Sequence, residues 1–314
     1  MRDADEAIDD LLARAEEAHL TGAPVVACAL AQEAVARLEE AEHWARIPEA
    51  AGLLAHSCAL TGEIHRAEGA YLTAGLRQRA LAEGDQHLHG RPGSRWGWYL
   101  RKTYRWSDAR EVLERSEVLC HDEGRPADAA LAALELAALE LDRKNPRGAL
   151  ARVEQALPLL SDAGYVADAV RARLLTAEVL VVQGRLSAAE QLLEVVLDDC
   201  QTHGLLTTRI EALVIRSRLT LAAGGTTHDA AAEALSAWGL ALDRRLVWLQ
   251  IDALWALAAA DDLGRVRAGE DPLPADAMPR PGSFADQAAR LRQRLDNQWF
   301  DLHPVRTVEE RLGR

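Results

Sequence analysis

Residues 165–203 read YVADAVRARLLTAEVLVVQGRLSAAEQLLEVVLDDCQTH. Apolar residues recur in the first half at steps of three and four, which is the period of one helix face. They are Val166, Val170, Leu174, Ala177 and Val181. Gly184 can adopt the left-handed conformation that ends a helix, and the side chain of Ser187 can cap the next one. The stretch predicts two helices that need neighbours on both sides to bury their apolar faces.

The same unit recurs along the chain. Its turns align at positions 22, 62, 104, 144, 184 and 225, so successive units are 40, 42, 40, 40 and 41 residues apart. A regular period of this size predicts a solenoid. An alanine stands five residues after each turn: Ala27, Ala67, Ala109, Ala149, Ala189 and Ala230. A small side chain there lets the second helix of each unit approach the first.

These residues resemble the tetratricopeptide repeat. That family has a small residue at the position of Ala67, an aromatic one at Tyr71 and a small one at Ala74. Its small residue in the first helix is matched by Ala55, Gly97, Ala137 and Ala177. The resemblance covers residues 4–264 and implies an all-α fold, a right-handed α-solenoid of antiparallel helical hairpins. The period departs from the usual length of about 34 residues.

Long-helix variants of this repeat are similar to the solenoid domains of bacterial signal-transduction regulators of the maltose-regulator type. We expect residues 1–266 to form six hairpins and a seventh first helix, 267–283 a proline-rich loop, and 284–314 a capping helix and tail. Ser283 and Asp286 have the spacing of a capping box. The terminal helix either covers the end of the solenoid or detaches to occupy the groove or dock on a partner.

Composition limits the partners. The formal net charge of −13 disfavours nucleic acid, whose binding requires a basic surface. No apolar run is long enough to span a membrane, and the first residues lack the apolar core of a signal peptide. The four cysteines lie far apart in the sequence, which predicts buried reduced thiols in a cytoplasmic protein. A homo-oligomer is left open.

Motifs of known chemistry are missing. The sequence contains no P-loop, no GxSxG and no HExxH. His87 and His89 lack a nearby cysteine or carboxylate at ligand spacing, so we expect no metal and no cofactor. The chain is therefore predicted not to be an enzyme.

Residues 91–106 depart from the regular pattern. They hold five basic residues, no acidic residue and three of the eight tryptophans. Gly90, Pro92 and Gly93 predict a broken helix that resumes at Arg95. The resemblance implies that first helices line the concave surface of the array. The candidates for partner or ligand binding on that surface are Arg91, Arg95, Trp98, Arg101 and Lys102, joined by His56, Arg171, Glu178 and Arg218.

Arginine beside an aromatic ring can hold a carboxylate or another anion. The leading hypothesis is a non-enzymatic scaffold or adaptor whose concave groove binds a protein or peptide in a bacterial regulatory or assembly system. One alternative is a sensor that binds a small anionic ligand at residues 91–106, and another is an enzyme with an unrecognised site there. In a purely structural reading, the basic residues pair with carboxylates of neighbouring helices while the tryptophans fill space.

Overall fold

The computed structural model describes residues 2–81, 90–267 and 282–302. Within these ranges the backbone forms fourteen α-helices, a short 3-10 turn at Trp44–Arg46 and no strand. The helices are α1 Arg2–Leu20, α2 Pro24–Glu40, α3 Ile47–Leu60, α4 Ile64–Leu81, α5 Gly90–Lys102, α6 Trp106–Asp122, α7 Pro126–Asp142, α8 Pro146–Asp162, α9 Val166–Val182, α10 Leu186–Thr202, α11 Leu206–Ala222, α12 Thr227–Asp243, α13 Val247–Arg267 and α14 Phe284–Leu302.

The helices divide into two compact units. Unit 1 comprises Met1–Ala172 with Gln298–Arg314, and unit 2 comprises Arg173–Asn297. In unit 1, consecutive helices pack on each other from α1 to α4 and from α5 to α8, and α1, α3, α5 and α7 form a second row of contacts. In unit 2, α10 to α13 pack in sequence and α11 also contacts α13. This packing is that of an α-solenoid of tetratricopeptide-like hairpins, as predicted.

The turns within the hairpins share one backbone conformation. Each contains a residue with a positive φ angle: Gly22, Gly62, Tyr104, Lys144, Gly184 and Gly224. The φ angle of Gly184 is 73°, which is the predicted left-handed conformation. The sixth turn is centred on Gly224, one residue before its predicted position. The predicted cap at Ser187 is wrong, because α10 begins at Leu186 and its N-terminus has no side-chain cap.

The alanine register is confirmed by burial. All six alanines are completely inaccessible to solvent. Position nine after each turn, which includes Tyr71 and Leu113, is also buried throughout, as is position twelve. Residues at these positions pack between the first helix of their own hairpin and that of the next, as Ala31 does with Ala15 and Leu53.

One predicted helix boundary is wrong. The predicted break at residues 90–94 is absent, because α5 begins at Gly90 and includes Pro92 in its first turn. A proline is tolerated there because the first-turn N–H groups have no partner within the helix.

The last described helix begins with the predicted cap. The Asp286 backbone N–H donates to Ser283 Oγ at 3.1 Å. Within unit 2, the Arg292 guanidinium lies 4.9 Å from the centre of the Trp248 ring of α13. Most of the proline-rich stretch lies outside the described residues, so the proposed domain boundaries stay a prediction. Among the described helices, none is both apolar enough and long enough to cross a lipid bilayer.

Candidate functional site

The segment that departs from the repeat forms α5 and the start of α6. Helix α5 lies between α3 and α7 and approaches its neighbours closely at two glycines. A Cβ atom on Gly97 would lie 2.3 Å from Leu113 Cδ2 of α6. One on Gly52 of α3 would lie 3.0 Å from Pro92 Cβ. These close contacts fix the rotation of α5 and so determine which of its side chains face the interior of unit 1.

Two arginines of α5 contact helices that are distant in the array. Arg95 Nη2 donates to both carboxylate oxygens of Glu16 on α1, at 2.6 and 2.8 Å. Arg91 lies 3.8 Å from the same carboxylate and donates to Asp168 of α9 at 3.3 Å. Its guanidinium also lies 4.3 Å from the centre of the Tyr165 ring. Since α1, α5 and α9 are not successive first helices, these side chains meet on the side where unit 1 curves inward.

The end of α5 faces carboxylates of α7. Arg101 donates to Asp142 at 2.8 Å, and its Nε lies 3.7 Å from Glu135. Glu135 also pairs with Arg171 of α9. Lys102 is half-buried at the C-terminal end of the helix. The guanidinium groups of α5 are therefore paired with carboxylates of other helices, as the purely structural reading of this segment expects.

Two histidines lie beside a tryptophan of α5. Trp98 is buried, and the centre of its ring lies 4.4 Å from that of His56 on α3 in an edge-on arrangement. The centre of the His56 ring lies 4.9 Å from that of His19 on α1. The Nδ1 atom of His19 lies 3.4 Å from Ser57 Oγ. The Nδ1 atom of His56 is buried and has no hydrogen-bond partner in the described part of the chain. A polar ligand could satisfy this nitrogen.

Trp96 has a packing role. Its ring stacks on Tyr99 with centres 5.4 Å apart and lies 4.7 Å from Tyr71 of α4. The Tyr71 hydroxyl donates to the backbone oxygen of Arg95 at 2.9 Å. These aromatic rings fill the space between α4 and α5.

The charged and aromatic side chains on the inner side of unit 1 form one group, which we call the inner cluster. It consists of Glu16, His19, His56, Arg91, Arg95, Trp98, Asp168 and Arg171. The side chains of Glu16, Arg91 and Asp168 retain 32%, 28% and 20% of their accessible surface. The cluster is thus enclosed by α1, α3, α5 and α9, yet solvent still reaches several of its charged groups.

Burial and neighbouring charges shift the pKa values in the inner cluster. Burial raises the pKa of Glu16, but the charges of Arg95, His19 and Arg91 and the hydrogen bond from Arg95 outweigh it and hold that pKa at about 2. Burial lowers the pKa of His19 to about 4 and that of His56 well below its ordinary value. Near neutral pH the cluster therefore has a charged carboxylate, charged guanidinium groups and two neutral imidazoles.

Sequence reasoning found part of this cluster. The structure brings five predicted residues together: His56, Arg91, Arg95, Trp98 and Arg171. Glu178 and Arg218 pair with each other at 3.1 Å in unit 2, so their place on a common groove stays a prediction. Glu16 was missed, although it precedes the turn at position 22 by six residues. His56 and Trp98 precede the turns at positions 62 and 104 by the same distance. Applying that register to the first helix would have found it.

Metal binding finds no support in the geometry. Three or more histidine, cysteine or carboxylate side chains suitably placed for a metal ion do not occur in the described ranges. The pair considered from the sequence, His87 and His89, lies outside those ranges.

No protein-family model matches the chain. No curated protein matches it either. Among solved structures, the chain is similar to a Rap protein in a crystal structure with Competence and Sporulation Factor. The identity is 14%, the TM-score is 0.64, and the match covers 94% of this chain and 76% of that one. At this identity the likeness shows the tetratricopeptide-like helical repeat fold and not a shared function.

Proposed function

We propose that this chain is a non-enzymatic scaffold that binds a protein or peptide segment on the inner surface of unit 1. The observation that carries the proposal is the inner cluster. Its charged groups come from α1, α5 and α9 and lie on one surface, and Glu16, Arg91 and Asp168 keep solvent access. The residues that dominate the binding energy of protein interfaces are enriched in tryptophan, tyrosine and arginine.

The charges of the inner cluster define the ligand. Arg91 and Arg95 already face carboxylates, so a purely anionic ligand would have to displace Glu16 or Asp168 and leave them without a counter-charge. A segment that carries both acidic and basic side chains can exchange partners with these pairs and keep every charge compensated. We therefore propose a peptide segment of mixed charge, and we rank the small-anion sensor below it.

We further propose that the bound segment belongs to a separate factor and that binding serves regulation. The Rap protein of the same fold is complexed with Competence and Sporulation Factor, which supports binding of a separate factor by such an array. The resemblance to solenoid domains of the maltose-regulator type favours a regulatory role in a bacterial cytoplasm. The use of Arg101, Lys102, Glu178 and Arg218 as further binding residues is also proposed.

Fluorescence anisotropy with a panel of labelled peptides tests the proposal. The peptides are of equal length and carry acidic side chains, basic side chains or both. The full chain is compared with Arg91→Ala and with Arg152→Ala as the matched control. Arg152 is as exposed as Arg91, at 29% against 28%, and pairs with Glu117 between α8 and α6. The Arg152→Ala variant therefore lacks one interhelical ion pair that lies outside the inner cluster.

We expect the mixed-charge peptides to bind best, Arg91→Ala to weaken that binding by about tenfold or more, and Arg152→Ala to leave it unchanged. Equal affinities for the two variants would refute the assignment to the inner cluster. Preference for purely acidic peptides would favour the anion sensor instead. Conversion of a bound peptide into a product would overturn the non-enzymatic assignment.

A further inference from the structure

Two of the four cysteines are neighbours in space, although they lie 30 residues apart in the sequence. Cys28 on α2 and Cys58 on α3 have their sulfur atoms 3.2 Å apart. Their side chains are buried, with 4% and 0% of the residue surface accessible. The prediction of buried thiols is confirmed by the structure, and the contact between these two was not predicted from the sequence.

We propose that Cys28 and Cys58 form a redox-active dithiol that a hydroperoxide oxidises to an intramolecular disulfide. The inference does not depend on the proposed binding function. A sulfur separation of 3.2 Å is within hydrogen-bonding contact, and the sulfurs need to approach by only about 1.2 Å to reach disulfide bond length. Helices α2 and α3 already pack on each other, so the bond needs no new docking of elements.

The surroundings of the pair favour Cys58 as the attacking thiolate. The hydrogen bond from Cys28 lowers the pKa of the Cys58 thiol; burial opposes this, and the Arg66 guanidinium lowers the pKa further. Arg66 is half-exposed, and it bonds Gln32 of α2 at 2.8 Å. The exposed Arg66 side chain is thus near enough for its charge to act on the Cys58 thiol, and Cys28 keeps 4% of its surface accessible.

The chemistry balances with a hydroperoxide as the oxidant. The Cys58 thiolate attacks the terminal peroxide oxygen, the O–O bond breaks, and the sulfur becomes a sulfenic acid. The other oxygen takes up a proton and leaves as water when the oxidant is hydrogen peroxide, or as an alcohol when it is an organic hydroperoxide. The Cys28 sulfur then attacks the sulfenic sulfur, and the S–O bond breaks. The S–S bond forms and a water molecule leaves with the Cys28 proton. Two electrons pass from the two sulfurs to the peroxide.

The chain offers an internal control for this reaction. Cys120 on α6 is also buried, and its pKa is raised by burial. Within the described residues, its neighbours include Ser116 and Gly90 and no second thiol. In that part of the chain Cys120 therefore has no partner with which to close an intramolecular disulfide. Cys120→Ser is therefore a matched substitution that leaves the dithiol intact.

The full chain, reduced and freed of reductant, is treated with hydrogen peroxide, alkylated under denaturing conditions and analysed by mass spectrometry. We expect an intact mass lower by two hydrogen atoms before alkylation, two of the four thiols protected from alkylation, and one cross-linked peptide that joins Cys28 to Cys58. Dithiothreitol should restore all four thiols. Cys120→Ser should form the same cross-link, and Cys58→Ser should form none.

A second readout does not rely on the variants. The oxidised wild-type chain should unfold at a higher temperature than the reduced chain, because a cross-link between residues 28 and 58 restricts the unfolded state. If all four thiols remain alkylatable after peroxide treatment, or if the cross-link joins other cysteines or two chains, the proposal is refuted. The peptide mapping uses the wild-type protein, so it decides the proposal even if Cys58→Ser folds poorly.

Discussion

Arg95 and Glu16 lie 79 residues apart in the sequence, and three helices separate α1 from α5 along the chain, yet their side chains share two hydrogen bonds of 2.6 and 2.8 Å. Only 10% of the Arg95 side chain is accessible. A charge held at such a place depends on its partner, because water cannot replace the lost counter-charge. This pair therefore contributes both to the stability of unit 1 and to the charge pattern of its inner surface.

Removing the charge of Glu16 should destabilise the protein. We expect Glu16→Gln to lower the free energy of unfolding by about 1–3 kcal/mol, since Arg95 then loses its charged acceptor. Urea-induced unfolding measures the change. Glu117→Gln is the control, because its carboxylate is similarly exposed at 35% but its partner Arg152 keeps 29% of its surface. The control should cost less than about 1 kcal/mol, and equal losses would contradict the interpretation.

The two partly buried histidines, His19 and His56, should make the protein sensitive to mild acid. The pKa of His19 is about 4 in the folded state, whereas the ordinary pKa of an exposed histidine is 6.5. The unfolded chain therefore takes up a proton first as the pH falls, so stability is constant above pH 6.5 and declines from there toward pH 4. Burial also lowers the pKa of His56 well below its ordinary value, so this residue acts in the same direction.

Glu16 extends this decline to lower pH. Its folded-state pKa of about 2 lies below the ordinary value of 4.5, so its contribution is lost between those two values. Unfolding free energies measured across the pH range test both windows. His19→Gln should flatten the upper window by on the order of 1–2 kcal/mol, while the same change at the exposed His203 should leave it unaltered. A slope that survives His19→Gln unchanged would argue against this origin.

Close packing of α5 gives a prediction at Gly97. A Cβ atom there would lie 2.3 and 2.4 Å from Cδ2 and Cγ of Leu113, so Gly97→Ala should lower the unfolding free energy by about 1–3 kcal/mol. Gly69 on α4 has no atom within 4 Å of its Cβ position. Gly69→Ala should therefore stabilise the protein by about 0.5–1 kcal/mol through helix propensity. Thermal unfolding compares the two, and shifts of the same sign would be inconsistent with the packing described.

The turns supply a reciprocal pair of substitutions. Lys144 has a φ angle of 61° and Gly184, at the equivalent turn of the next repeat, one of 73°. A left-handed conformation strains a side chain but not glycine. Lys144→Gly should therefore raise the unfolding free energy by about 0.5–1 kcal/mol, and Gly184→Ala should lower it by about 1 kcal/mol. Chemical denaturation of both variants measures the effects, and a loss of stability in Lys144→Gly would show that its side chain makes a compensating contact.

The fold was predictable because its determinants are local and repeated. The six alanines at one register and the turns every 40 to 42 residues are visible in the sequence, and each corresponds to a buried contact or a turn in the structure. The broken helix was predicted wrongly because Pro92 was judged as an interior residue. Its effect depends on where the helix begins, which propensity alone does not determine.

Five residues of the inner cluster were predictable, including His56 of α3 and Arg171 of α9, but the carboxylates that pair with the α5 arginines were not. The arginines and Trp98 of α5 stand out in composition, but Asp168 and Glu16, which pair with them, lie on helices that the repeat pattern does not place together. Their encounter depends on how strongly unit 1 curves, and curvature results from small rotations accumulated over several repeats. The contact between Cys28 and Cys58 was missed for a related reason, since it joins the second helix of one hairpin to the first helix of the next.

Arg91 gives unit 1 an unusual mechanical character. A stack in which each hairpin touches only the next one extends like a spring, with compliance added at every interface. Through Arg91, α1 and α9 are both tied to α5 across the inside of the curve, by contacts of 3.8 and 3.3 Å. Stretching unit 1 must therefore break the ion pairs of Arg91 with Glu16 and Asp168 before the hairpins can move apart. We expect a stiff response to small forces and an abrupt yield beyond them, unlike the gradual elongation of an unbraced helical array.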